Sequence, residues 1–291
     1  MSNWWRHSLS QHKEQQGFVT FAINSKDVDY LELAYLQCLN VKATQKNNSY
    51  AVIVDLETAE LITEKHTKAF DYVIKIPLDV NENPFSAEPA VFALTPFKET
   101  IKLESDLLFT RSIDHWWTAF RLKDLCLTTT AKNYKGLQST VRKYRELFDA
   151  NCLPDVYNGL MYFRYTQTAK KFFELAAHIF REWDYVKLYL REVELDLKPS
   201  TDVAYAIVAL MIDEEPVTMP SMDFLNFVHM KSGFNGWSDA RSWLDTVMHE
   251  RAGDVIRINN LNQLDPVHYH DKSYATKELI EYYEQRILER S

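Results

Sequence analysis

Along the first hundred residues the hydrophobic positions switch repeatedly between a continuous apolar run and a helical period. Residues 17–24, Gly-Phe-Val-Thr-Phe-Ala-Ile-Asn, predict a buried strand that ends in a polar Asn-Ser turn. Val28, Leu31, Tyr35 and Cys38 then recur at helical spacing, which predicts a helix with Asp27 at its N-cap or in its first turn. Residues 49–55 are again a buried strand, closing on Asp55. A second helical stretch covers 57–66, and a short strand covers 72–76 before Pro77. Residues 99–106, Glu-Thr-Ile-Lys-Leu-Glu-Ser-Asp, predict a strand whose end presents Glu104 and Asp106 on one side if the chain stays extended. Such alternation predicts an α/β fold, a mostly parallel twisted sheet flanked by helices, with ligands bound beyond the carboxyl ends of the strands. Asn24, Asp55, Glu104 and Asp106 all fall at such ends.

Further along, 113–120 reads as a short helix carrying Trp116 and Trp117, 125–130 as a strand and 159–163 as another strand. Residues 166–183 form an amphipathic helical pattern, Asp202 opens the apolar helical run 203–211, and a last helix over 275–289 places Leu279, Tyr283 and Ile287 on one face. Between them, 131–145 holds Lys132, Lys135, Arg142, Lys143 and Arg145 without an acid, a locally basic segment. Neither a repeat nor a long linker interrupts the 291 residues, so one domain spanning 1–291 is expected.

Composition narrows the function classes. With 46% hydrophobic residues and only 6 Gly and 9 Pro, the chain has the material for a large core rather than a disordered tail. A net charge of −8 argues against binding nucleic acid or membrane through bulk positive charge, while leaving room for a local basic surface. Cys38, Cys126 and Cys152 have no metal-type spacing and sit among apolar neighbours, so buried free thiols in a reducing compartment are expected. The start, with Trp4 and Trp5 expected to dock on their own domain, lacks a secretory apolar stretch, and no segment has the length of a membrane span. A cytoplasmic protein is the expectation.

Four segments carry candidate chemistry, each with a structural alternative. Glu104 and Asp106 emerge from an apolar strand as a pair of hard oxygen ligands; acids so spaced are also common on solvated surfaces. His268 and His270, followed by Lys272, could face one site as imidazoles and a point charge for phosphate, or lie on a plain turn. In Tyr157-Asn158-Gly159-Leu160, the Asn amide suits a polyhydroxylated ligand and Gly159 permits close backbone approach, but Asn-Gly also forms ordinary turns. Ser200-Thr201-Asp202, taken in isolation, is explained by helix capping with no function at all.

In this order the segments resemble GT-A-fold glycosyltransferases of the glycogenin and lipopolysaccharide galactosyltransferase type. Glu99-Thr-Ile-Lys-Leu-Glu-Ser-Asp-Leu-Leu is similar to their metal-binding strand, in which an Asp-x-Asp pair follows apolar residues; here Glu104 replaces the first Asp. Asn158-Gly-Leu-Met-Tyr-Phe163 resembles their Asn-Ser-Gly strand shortened by the small residue, Asp202 their following acid, and His268-Tyr269 with Lys272 their late His and Lys. The likeness covers 17–275. It implies a GT-A-like domain in which Glu104, Asp106 and a late His, either His268 or His270, hold Mn²⁺ or Mg²⁺ against the diphosphate of a nucleotide sugar, with UDP as the expected nucleotide. By the same resemblance Lys272 assists at the diphosphate, Asn24 and Asp55 contact the nucleoside, and Asn158 and Asp202 face the sugar and acceptor hydroxyl, Asp202 as general base or orienting group.

Thr95-Pro-Phe-Lys-Glu-Thr and Asp114-His-Trp-Trp are similar to segments of proteins from T-even-type phages and related cyanophages. That likeness implies an enzyme in the host cytoplasm that moves arabinose or glucose onto 5-hydroxymethylcytosine in DNA, with Lys132, Lys135, Arg142 and Lys143 on the DNA phosphates. Two alternatives stand beside it: transfer to a glycan, protein or small molecule, favoured by the acidic charge, and a non-catalytic nucleotide-binding module, favoured by the altered Glu104.

Overall fold

The computed structural model describes residues 14–76, 84–192, 197–212, 225–238 and 241–289. Its strands are β1 Glu14–Phe21, β2 Tyr50–Val54, β3 Tyr72–Lys75, β4 Phe97–Leu103, β5 Leu107–Leu108, β6 Leu125–Thr128, β7 Ala131–Lys132, β8 Tyr157–Arg164, β9 Phe227–His229, β10 His249–Ala252, β11 Val255–Ile258, β12 Leu261–Gln263 and β13 Val267–His268. Six of them form the central sheet in the order β3-β2-β1-β4-β8-β6. Strands β3, β2, β1 and β4 run parallel, while β8 enters antiparallel to both β4 and β6. The sheet is therefore mostly parallel, with one reversed strand beside the strand that leads to the acids.

Each face of this sheet carries its own apolar layer because the strands are buried on both sides, as in α/β folds generally. On one face Phe18, Val52, Ile101 and Tyr162 pack beneath the helix Tyr30–Thr44 and the C-terminal helix Lys277–Leu288. On the other, Val19, Ile53, Phe97 and Met161 meet the helices Gln167–Arg181 and Thr201–Met211. Gly17 lies where a Cβ would come within 2.4 Å of the Phe97 ring, so the aromatic takes the place of a side chain. The helix Tyr30–Thr44 is buried almost all round, including the polar Gln37 and Asn40. That burial is physical only because both amides are bonded, as described below.

A second sheet, β5-β13-β9-β7, stands at the carboxyl rim of the first, and β10-β11-β12 form a separate antiparallel meander. Strand β13 pairs antiparallel with β5 and parallel with β9, with His268 opposite both Leu107 and His229.

Several sequence expectations change. Glu104 and Asp106 do not sit on an extended strand: β4 ends at Leu103, and Leu107 N donates to Glu104 O across a turn at 3.2 Å. The cap of the first helix is Asp29, whose carboxylate accepts from Glu32 N, because Asp27 lies too far upstream. The stretch 57–66 breaks into Leu56–Glu60 and Glu64–Ala69, each with its own N-cap, Asp55 and Thr63. The helix expected at 113–120 begins only at Trp116. Cys38 and Cys126 are buried, but Cys152 is exposed, in a left-handed turn after a helix. The docking expected of Trp4 and Trp5 falls outside the described residues.

Candidate active site

Glu104, Asp106 and His268 converge at the rim of the central sheet, their ligand atoms lying within 4.8 Å of one another. His268 Nε2 is 3.2 Å from Glu104 Oε2 and 2.9 Å from Asp106 Oδ2. Lys272 Nζ donates to the same Asp106 oxygen. Sequence distance is overcome by β13: pairing with β5 sets His268 beside the acid turn, and Tyr269 N donates to Asp106 O at 3.0 Å.

The acid turn is braced from the sheet and from the first helix. Glu104 N donates to Gly159 O on β8 at 3.0 Å. From the helix, Gln37 Nε2 donates to Glu104 O at 2.6 Å and to Leu107 O at 2.7 Å, while its Oε1 accepts from Tyr50 OH. One turn later Asn40 closes a two-way bond with the Phe109 backbone. The buried amides of this helix thus hold the backbone that aims the carboxylates, and every polar group they present is matched.

The charged groups of the site act directly on one another. Burial would push the Asp106 carboxyl up, but His268 and Lys272 outweigh it and hold the group well below the usual carboxylate range. Glu104, lacking the lysine, is pushed up by burial and by Asp106 despite the pull of His268. Burial pulls His268 down, and the two acids more than reverse it. His229, stacked on His268 with centroids 4.5 Å apart, is driven well below the ordinary histidine value by burial and by its two histidine neighbours. His270 is pushed down to about 4 by burial and the charges of His268 and Lys272; it lines the pocket but stands outside the three-residue group.

The group opens into a cavity of about 680 Å³, a volume suited to a ligand of nucleotide-sugar size. Asn158 and Asp202 meet there: Asp202 Oδ1 accepts from Asn158 N at 2.8 Å, and Oδ2 pairs with Arg145 Nη2 at 3.2 Å. Burial pushes Asp202 up, against the pull of Arg145 and the Asn158 N–H. Asn158 Nδ2 donates to Glu88, which is also paired with Lys102. The space that a Cβ on Gly159 would need is filled by the Phe227 ring, 2.9 Å away, so packing alone accounts for the glycine.

Other expected residues are placed differently. Asn24 lines the pocket, but its amide is spent locally, donating to Asp29 and accepting from Leu31 N. Asp55 is buried beneath the rim, capping the next helix through Thr58 N, and does not line the pocket. Lys132 is tied to Asp265 at 3.0 Å, whereas Lys135 and Lys143 are exposed; the Arg142 side chain lies outside the described residues. Glu88, Lys102, Arg145 and His229 also line the pocket and were not singled out as site residues from sequence. Only Lys102, a charge inside an apolar strand, gave a signal that could have been followed.

A divalent cation fits the donor set on chemical grounds. Two carboxylates and one imidazole, mutually close, with Asp106 and His268 buried and Glu104 half-buried, are ligands that Mn²⁺ and Mg²⁺ accept, and no cysteine competes for a softer metal. The fold is similar to that of a solved glycosyltransferase. It matches the structure of the bifunctional glycosyltransferase WbbM, apo, with TM-score 0.51 and 10% identity over 94% of this chain and 50% of that one. The chain thus spans half of the WbbM chain. Weaker likenesses, which carry no argument, are to mouse xyloside xylosyltransferase 1 (11% identity, 70% of this chain and 84% of that one, TM-score 0.45) and to GlyE of Streptococcus pneumoniae TIGR4 (9%, 71% and 45%, TM-score 0.40). No protein-family model and no curated protein matches the sequence. The architecture is a glycosyltransferase fold.

Removal of the brace has a defined cost. Gln37→Leu leaves the Glu104 and Leu107 carbonyls without their donor, and urea unfolding is expected to show a loss of about 1–3 kcal/mol for each buried group left unpaired. An unchanged midpoint would show that the turn holds itself.

Proposed function

We propose that the chain is a glycosyltransferase that uses a nucleotide-diphosphate sugar, with Glu104, Asp106 and His268 holding Mn²⁺ or Mg²⁺ at the donor diphosphate. The observation that carries this reading is the convergence of two acids and a histidine, separated by some 160 positions, at the mouth of a ligand-sized cavity in a glycosyltransferase fold. Bound there, the cation would supply Lewis-acid neutralisation of charge on the departing diphosphate. Lys272, paired with Asp106, adds an ammonium on the same side. Tyr30 and Asn24 line the pocket where a UDP nucleoside would lie, and Asn158 with Asp202 would supply polar groups for the sugar. With both oxygens of Asp202 already engaged, that residue is suited to orienting a hydroxyl rather than removing its proton.

For the acceptor we propose 5-hydroxymethylcytosine in DNA, with arabinose or glucose transferred, in the cytoplasm of a phage-infected host. Support comes from Lys135 and Lys143, exposed in the basic stretch whose Arg145 reaches the pocket. A second reading, transfer to a glycan, protein or small molecule, is favoured by the loss of Lys132 to Asp265 and of Arg145 to Asp202 in a chain of net charge −8. Among the described residues no helix is long and apolar enough to cross a membrane.

Metal binding is tested by thermal unfolding with Mn²⁺. Mn²⁺ at a hundredfold excess over its Kd is expected to stabilise the wild type by about 2.7 kcal/mol. Asp106→Asn is expected to abolish that gain, and an equal gain in both proteins would contradict the ligand assignment. The acceptor is tested by incubating the protein with UDP-sugars, Mn²⁺ and hydroxymethylated DNA, then digesting to nucleosides for mass spectrometry. A nucleoside heavier by one sugar is expected. Donor hydrolysis with no mass gain, and no DNA binding at low salt, would transfer the acceptor to the second reading.

A further inference from the structure

One side of the pocket is built from four charged side chains that neutralise one another. Lys102 projects from β4 between Val19 and Met161, into the face of the sheet that the helix Thr201–Met211 covers. It is 1% exposed and paired with Glu88, itself 8% exposed. Arg145 is fully buried, paired with Asp202, and stacked on the Tyr157 ring at 3.9 Å. Two cations therefore face two anions, and this wall carries no net charge.

What it offers a ligand is neutral hydrogen bonding. Asn158 Nδ2 donates to Glu88 Oε2 at 3.1 Å, and because an ionised carboxylate only accepts, that bond fixes which way the amide points. Its Oδ1 is left buried without a partner, and so is Thr201 Oγ1 at the start of the neighbouring helix. Both residues line the pocket and both are more than nine-tenths buried. Unmatched buried polar atoms of this kind, a carbonyl acceptor and a hydroxyl, are uncommon in folded proteins and are satisfied by water or by a ligand hydroxyl.

We infer that this wall selects an uncharged sugar on the donor nucleotide, and that Glu88 sets the preference by cancelling Lys102 and by turning the Asn158 carbonyl toward the ligand. The inference rests on the donor-site reading above and adds to it the chemical class of the sugar. A hydroxyl donates to Asn158 Oδ1 and exchanges a bond with Thr201. A sugar carboxylate would enter a wall whose cations are already paired, and would be desolvated without a counter-charge. Glu88 acts through Asn158 and Lys102, so its role is positioning. Removal of its charge turns Lys102 into a free counter-ion and reverses the discrimination, which is how repulsive design works in selective sites.

The test is calorimetric binding of UDP, UDP-glucose and UDP-glucuronate in the presence of Mn²⁺. Wild-type protein is expected to bind UDP-glucose more tightly than UDP-glucuronate by about tenfold or more. Glu88→Gln keeps an acceptor for Asn158 and is expected to move that ratio toward glucuronate by about tenfold or more. The double variant Glu88→Gln with Lys102→Met removes both charges and is expected to return to the wild-type preference, which a general loosening of the pocket would not do. Should Glu88→Gln fail to fold, Lys102→Met alone leaves an uncompensated acid and is expected to push the ratio further against glucuronate. Equal affinities in the wild type, or a ratio that stays fixed in the variants while UDP still binds, would overturn the selectivity alone. Failure of the wild type to bind UDP at all would overturn the donor-site reading and this inference with it.

Discussion

The structure turns on a short loop of backbone that must keep two carboxylates side by side inside a protein. Left to themselves, Glu104 and Asp106 repel, and the turn between β4 and β5 exposes carbonyls that burial makes costly. Both problems are solved from distant parts of the chain. Gln37 on the first helix donates to the turn carbonyls, β8 accepts from Glu104 N, and β13 brings His268 and Lys272 as opposing charge. Remove any of these and the remaining groups are left buried and unmatched, so the acid turn ties the first helix, the central sheet and the C-terminal segment into one unit.

This constraint accounts for features that otherwise look unrelated. The small sheet at the rim starts from the acid turn: β5 follows it directly and pairs with β13, which in turn pairs with β9 and stacks His268 on His229. The same rim collects Asn158 from the start of β8 and Asp202 from the helix Thr201–Met211. One pocket is thus lined both by the acids with their imidazole and by two buried ion pairs, Lys102 with Glu88 and Arg145 with Asp202.

Much of this was legible in the chain. Runs such as Ala51-Val-Ile-Val54 and the spacing of Leu31, Tyr35 and Cys38 report burial directly, so the strands and helices of the parallel half are visible from period alone. Glu104 and Asp106 stood out because they close a strand and are followed directly by Leu107, Leu108 and Phe109. Other parts were hidden for identifiable reasons. The turn at Ser105 is set by tertiary bonds from Gln37, which local pattern cannot register. Arg145 looked like one more member of a basic stretch because its partner, Asp202, lies 57 residues away. Asn24 and Asp55 were readable as strand-end polar residues, but the structure commits both to helix starts, the commoner use of such residues. The meander and the rim sheet are built from strands of two to four residues, too short to show a period.

The central claim is that Glu104, Asp106 and His268 share one cation. Its most direct measurement is X-ray diffraction at the manganese absorption edge from crystals grown with UDP and Mn²⁺. The account predicts a single strong anomalous peak bounded by the two carboxylates and His268 Nε2, with the diphosphate beside it. A peak elsewhere, or a nucleotide seated in the pocket while Lys272 and His268 still neutralise the acids with no metal between them, would contradict it.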